Sequence, residues 1–456
     1  MTFLNIRSIA WAFSLITLGT EMLNSVFSFY YVKLFLHLYK VSEVAFYQAQ
    51  MILMIWNALN DLTGYFHNNS KADCCSNRHS SVLYGAPLYA AAFLLPWFPW
   101  KYYHEGDWLS GLQLVVSLCA FDSTLTFVQQ AHCVLFVEIF TRYESRLQLI
   151  PVNQVASLVG STSILFCGLI SDNLEILLSF QVIAVIVAIL AIASLYTGMC
   201  HVSHLEPKRS PEENHLSETV QDLPWTSVVS LVRQILTQKN FRLFLIVNFF
   251  QVFHLTFFSN FMMIFVDNLI PMDVLPSSIR SIMYGAGFIC PQCLVLFSQS
   301  WLRKFGYYKI ILFSFYLEGT ASIVMLLLGQ QYYYFLALYL TVIMVIVQAS
   351  FCLFNLPLAD MVDADLLKFN RQSPLSSMVF GINALFTKPA QSLAPMVILS
   401  RLNQFGYGNP NKSTILDLHD AIFNLICLVP LGIAAIQILV WSPFSIRKKT
   451  DYTGAF

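Results

Sequence analysis

Residues 55 to 61 read IWNALND, placing the amides of Asn57 and Asn60 and the carboxylate of Asp61 inside an otherwise apolar run. Side chains three and four apart share one face of a helix, so these three groups point the same way. Asp122, Thr126, Gln129 and Gln130 form a second stripe by the same spacing. Glu21, His254, Glu318 and Lys388 also stand well inside apolar segments. Such groups can accept a cation, exchange a proton or hold the hydroxyls of a solute. Bond-breaking chemistry has no visible seat: the chain carries no Walker loop, no HExxH and no nucleophile elbow. Its ten cysteines are scattered without disulfide or zinc spacing. The expectation is a non-enzymatic protein without metal or cofactor.

The elements that must position these groups follow from composition. Of 456 residues, 57% are hydrophobic and only 11% charged, and the mean hydropathy is +0.63, which belongs to an integral membrane protein. A spanning helix needs about 20 mostly apolar residues, and twelve such windows fall near 8–36, 43–66, 80–100, 108–138, 148–171, 175–200, 240–268, 277–301, 307–329, 331–361, 374–402 and 418–442. The runs are continuous rather than alternating, which excludes a membrane barrel. The expected fold is all-α, with twelve transmembrane helices in two six-helix halves: 1–200, a polar cytoplasmic linker 201–239, then 240–442 and a tail 443–456. Within the linker, PWTSVVSLVRQILTQ has the spacing of an amphipathic helix lying on the inner membrane face.

Net charge is zero, and no basic, aromatic surface suggests nucleic acid. With both termini in the cytoplasm, eighteen of the 25 basic residues fall inside, six outside, and Lys388 within a helix; this bias fixes the orientation. The sequon at Asn411 then lies outside and is expected to carry glycan, while the one at Asn68 lies inside. The plasma membrane is the expected location, with the lipid bilayer as surroundings and the chain a monomer.

Ionisable groups at bilayer depth cost a few kcal/mol each and usually face a bundle interior or a water-filled path. The simplest role for a stripe of Asn and Gln is interhelical hydrogen bonding. His254 and Glu318 read best as packing residues. Asp61 and Lys388 are better explained as a mutual pair, since either charge alone would be unstable.

Three segments now resemble one family. IWNALND resembles the second-helix signature I-W-D-A-x-N-D-P of the glycoside-pentoside-hexuronide cation symporters, the melibiose-permease branch of the major facilitator superfamily. PLADMVDADLLK, residues 357–368, is similar to its tenth-helix A-D-x-V-D-x-x-x-x-K segment, and FGINALFTKPA, residues 380–390, to its eleventh-helix segment ending in an intramembrane lysine. The overall likeness is greatest to a vertebrate branch of the superfamily that brings no substrate with it. The resemblance implies the major facilitator fold and a cation site at Asn57, Asn60, Asp61, Thr126 and Lys388. One family carboxylate is Asn57 here. The family's sugar-holding aspartates match Thr17 and Gln129, so both are missing, with Glu21 and Asp122 as partial substitutes. Gln130 and His254 complete the cavity candidates.

One carboxylate and one lysine are already neutral together, which disfavours sodium and leaves proton coupling and facilitated diffusion both open. At the inner end of helix 10, Asp360, Asp363 and Asp365 are placed to pair with Arg142, Arg146 or Arg371 when that side is closed. The expected function is alternating-access transport of a small organic solute, with a sugar-like compound and a lysolipid both open. The rivals are a transport-inactive membrane scaffold and a lysolipid carrier.

Overall fold

The computed structural model describes residues 3–69, 78–139, 143–205, 225–370, 375–407 and 415–445. In chain order the helices are α1 Phe3–Lys33, α2 Glu43–Asn69, α3 Arg78–Leu94, α4 Trp108–Ile139, α5 Tyr143–Ser171, α6 Leu177–Leu205 and α7 Trp225–Thr237. They continue with α8 Lys239–Leu269, α9 Ser277–Phe305, α10 Tyr307–Leu328, α11 Tyr333–Leu353, α12 Asn355–Lys368, α13 Ser376–Gln404 and α14 Ile415–Trp441. Among the described residues, nine spans are long and apolar enough to cross a membrane. Helices α2, α3 and α13 also form over the windows 43–66, 80–100 and 374–402 read from sequence.

Local chemistry sets the ends. Ser42 Oγ accepts the backbone N–H of Ala45 at 3.3 Å and opens α2. Gly306 and Gly329, at φ of 76° and 82°, close α9 and α10 in a conformation that side chains disfavour. The window 331–361 was expected to be one helix, and the structure divides it at Phe354 into α11 and α12. The cause is Pro357, which has no N–H to offer the carbonyl of Leu353 and whose ring crowds that turn.

Helices α1 to α6 pack on one another, chiefly α1 on α5 and α6, α3 on α4 and α6, and α2 on α4. After residues 206–224, which lie outside the described residues, α8 packs on α11, α13 and α14, and α10 on α11 and α14. The two groups meet where α5 crosses α9, α2 runs along α13, and α1 touches α8. A separate α7 forms, as its sequence predicts, and Gln238 in extended conformation breaks it from α8. Its apolar side is committed to protein: Ile235, Leu231, Val232 and Leu236 pack on a cluster that includes Phe241, Phe354 and Trp441.

Candidate substrate and coupling site

The polar face of α2 meets the polar face of α4. Asn60 Nδ2 donates to Asp122 Oδ2 at 2.9 Å and to Ser123 Oγ at 3.3 Å. With its amide nitrogen turned to the carboxylate, Asn57 donates to the same Asp122 at 2.7 Å and 3.1 Å. One residue back, Trp56 Nε1 donates to Ser123 Oγ at 2.7 Å. Asn57 is buried and Asn60 half-buried. Two amides on one carboxylate satisfy several of its lone pairs, and an amide adds no charge. Thr126, one turn along α4, is half-buried, whereas Gln129 is exposed. The side chains of Asp61 and Gln130 lie outside the described residues. Lys388 is half-buried on α13, the helix that packs along α2.

On α1, Thr17 Oγ1 donates to Asn153 Oδ1 of α5 at 2.5 Å, so its hydroxyl is spent on holding two helices together. Glu21 is half-buried one turn further, beside Gly160 of α5, where an added Cβ would stand 3.0 Å from the Cβ of Glu21. His254 is not on a cavity surface. It is fully buried, its Nδ1 3.4 Å from Glu318 Oε2, and Glu318 is fully buried as well. On α12 the three aspartates part company: Asp360 is half-buried, Asp363 exposed, and Asp365 buried. Asp365 Oδ1 accepts from Gln238 Nε2 at 2.6 Å, which ties α12 to the α7–α8 junction. Arg142, Arg371 and Asn411 lie outside the described residues, as does the side chain of Arg146.

At the end of the molecule where α1 finishes, a second polar cluster joins the two groups of helices. Lys33 Nζ lies 2.9 Å from Asp267 Oδ2 of α8 and 3.3 Å from Glu175 Oε1 of the α5–α6 turn. Arg280 of α9 holds Asp267 Oδ1 at 2.7 Å and donates through Nε to the carbonyl of Leu275 at 2.9 Å. Two cations face two carboxylates, so charge is balanced although Lys33 and Arg280 are almost fully buried. Asn173 Nδ2 donates to Ser277 Oγ at 2.9 Å, and Ser281 Oγ returns a bond to Asn173 Oδ1 at 2.8 Å. Deeper in the same seam, Asn260 Nδ2 donates to Tyr31 at 3.0 Å. Close backbone approach makes this possible. At Gly285 of α9 an added Cβ would lie 2.9 Å from Leu165 Cβ of α5.

Residues 12–448 match the family described as MFS/sugar transport protein. The chain belongs to that family. Among similar members is transmembrane protein 180 of Gallus gallus, 29% identical with 95% of this chain and 92% of that protein covered. The Mus musculus protein of the same name is 26% identical, with 97% and 93% covered. Solved structures with the same fold include the nucleoside transporter NupG, at 13% identity and a TM-score of 0.58, covering 97% of this chain and 98% of that one. A bacterial homologue of the human lysosomal transporter Spinster, inward-facing and unoccupied, gives 12% identity and a TM-score of 0.60, covering 97% of this chain and 98% of that one.

For this MFS member, sequence reasoning found both polar stripes but not their junction, and it missed the Lys33 cluster. The positive-inside count places Lys33 and Arg280 among the six outer basic residues and gives them no partner. A usable signal was present at Lys33, a lone charge within YYVKLFLHL.

Proposed function

We propose that this chain is an alternating-access transporter of a small organic solute, built from twelve spans in halves 1–200 and 240–442. The observation that carries this reading is the convergence of Asn57 and Asn60 on Asp122, beside the helix that carries Lys388. The carboxylate lost from α2 at position 57 is made up from α4. The family resemblance assigns Asp61 and Lys388 to the same site, where Asp122 would supply a second carboxylate for a monovalent cation. Sodium, which a single carboxylate would disfavour, becomes a competent coupling ion beside the proton.

The Lys33 cluster supplies the moving part. In the orientation set by the positive-inside rule it lies on the outer side, so its ion pairs hold the outer ends of the two halves together. A substrate would then exchange with the cytoplasm in this state, and opening outward requires Lys33 to leave Asp267. Rocking of the halves about the central site completes the cycle.

The test is untargeted metabolite profiling of cells expressing the wild type, Asp122→Asn or neither, in sodium medium and in choline medium. A class of small solutes should change with the wild type alone, and the ion dependence names the coupling ion. Identical profiles in all three lines would defeat the transport reading. Removal of the glycan by enzyme should shift the wild type and leave Asn411→Gln unmoved; a shift that instead disappears on Asn68→Gln would invert the orientation.

A further inference from the structure

His254 of α8 and Glu318 of α10 face each other at 3.4 Å, Nδ1 to Oε2, with both side chains fully buried. Among the described residues, neither ring nitrogen and neither carboxylate oxygen has a hydrogen-bond partner. A lone carboxylate in such a place is costly, and an imidazole at this distance is the natural relief. One proton suffices. Placed on the ring it makes an ion pair, and placed on the carboxyl it leaves both groups neutral. Either way the pair carries no net charge, and loss of the proton leaves one buried negative charge.

The pair does not stand alone. One turn along α8, Gln251 Nε2 donates to Ser350 Oγ of α11 at 2.8 Å, and Gln437 Nε2 of α14 donates to Gln251 Oε1 at 2.8 Å. One further turn along, Asn248 Nδ2 donates to Asn383 Oδ1 of α13 at 2.9 Å. Buried polar groups thus run along α8 from the pair to the helix that carries Lys388. Unsatisfied acceptors remain at Asn248 Oδ1 and Gln437 Oε1. On the other side of the pair, Ser322 Oγ and Tyr339 Oη stand 3.1 Å apart. Of the ionisable groups on the packed elements, Tyr339 on α11 interacts electrostatically with Glu318; others on those elements include Cys352 on α11, Cys427 and His419 on α14, Lys388 on α13, Glu21, Tyr31 and Lys33 on α1, and Tyr284, Cys290 and Cys293 on α9.

We propose that His254 and Glu318 form a proton-binding site, one exchangeable proton held between Nδ1 and Oε2, and that its occupancy biases the closing of the two groups of helices. The site is distinct from the Asp122 site and lies within the C-terminal group. It rests on the transporter reading only for what the proton drives, since proton binding itself needs no substrate.

The experiment is infrared pH-difference spectroscopy of the purified full-length protein in nanodiscs, titrated between about pH 5 and 9. The wild type should show a glutamate carboxyl band whose intensity follows the occupancy of the shared proton. Glu318→Gln should remove it, and His254→Gln should move its midpoint by about one pH unit or more, the mark of coupled sites. Carbon-13 labelling of glutamate in the wild type identifies the band as glutamate even if a variant fails to fold. Absence of any titrating glutamate band in the wild type, or a band indifferent to His254→Gln in a folded protein, would overturn the site. Thiol labelling of Asn173→Cys should follow the same pH midpoint; a titrating band with pH-independent labelling would refute the bias while leaving transport at the Asp122 site standing.

Discussion

Lys33 Nζ of α1 stands 2.9 Å from Asp267 Oδ2 of α8, an ion pair that bridges the two groups of helices at one end of the molecule. Asp267 is shared with Arg280 and Lys33 with Glu175, so removing Lys33 strands part of the negative charge and leaves part of it compensated. Lys33→Met is expected to destabilise the closed form by about 1.5–3 kcal/mol, the range for lost hydrogen bonds to charged groups. Thermal unfolding of the purified protein measures this. An unchanged melting temperature and unchanged cysteine labelling at position 173 would show that the pair holds nothing closed.

Gly285 tests the same seam by volume rather than charge. A Cβ there would meet Leu165 Cβ at 2.9 Å, and neither backbone has a flexible side-chain tip to move aside. Gly285→Val should cost about 1–3 kcal/mol in the closed form and raise labelling at position 173 about tenfold, the factor that goes with 1.4 kcal/mol. Adding Leu165→Gly, which removes that Cβ, should restore slow labelling. Failure of that second change to rescue would place the clash elsewhere.

The junction of α2 and α4 predicts non-additivity. Asp122→Leu leaves the buried Asn57 without an acceptor, and Asn57→Leu removes a donor from Asp122. Either alone should cost about 1–3 kcal/mol, while the double variant should recover about 0.5–3 kcal/mol of the sum. A double-mutant cycle on thermal stability reads this directly, and strict additivity would mean that the two side chains do not touch.

A pH effect is expected at the loop before α4. Lys101 Nζ lies 2.7 Å from Asp107 Oδ2, and this bond, with the backbone N–H of Leu109, holds the Asp107 carboxyl below its usual range. A depressed folded value contributes stability that is present above the unfolded value, about pH 4, and is lost as pH falls through the folded one. Wild type should therefore lose its advantage over Asp107→Asn only on acidification below about pH 4. An advantage that persists undiminished at lower pH would show that the ionised carboxylate is not its source.

Much was legible in the sequence because its causes are local. Twenty-residue apolar runs dictate helices, since unpaired backbone groups cannot remain in hydrocarbon, and polar residues at helical spacing fix which face Asn57 and Asn60 share. Even the amphipathic α7 follows from spacing alone. The destination of those faces was not legible. Helical spacing places Asp122 on a stripe with Thr126 and Gln129, yet the crossing of α2 and α4 hands its carboxylate to Asn57 and Asn60 and leaves Gln129 exposed. Partners 62 and 65 positions apart are chosen by how helices pack, and no local pattern records that. His254 and Glu318 are the same case, and Lys33 and Asp267 repeat it at longer range. Each charge can be seen in the sequence as an expense, but its partner is decided only by which helices the tertiary structure brings side by side.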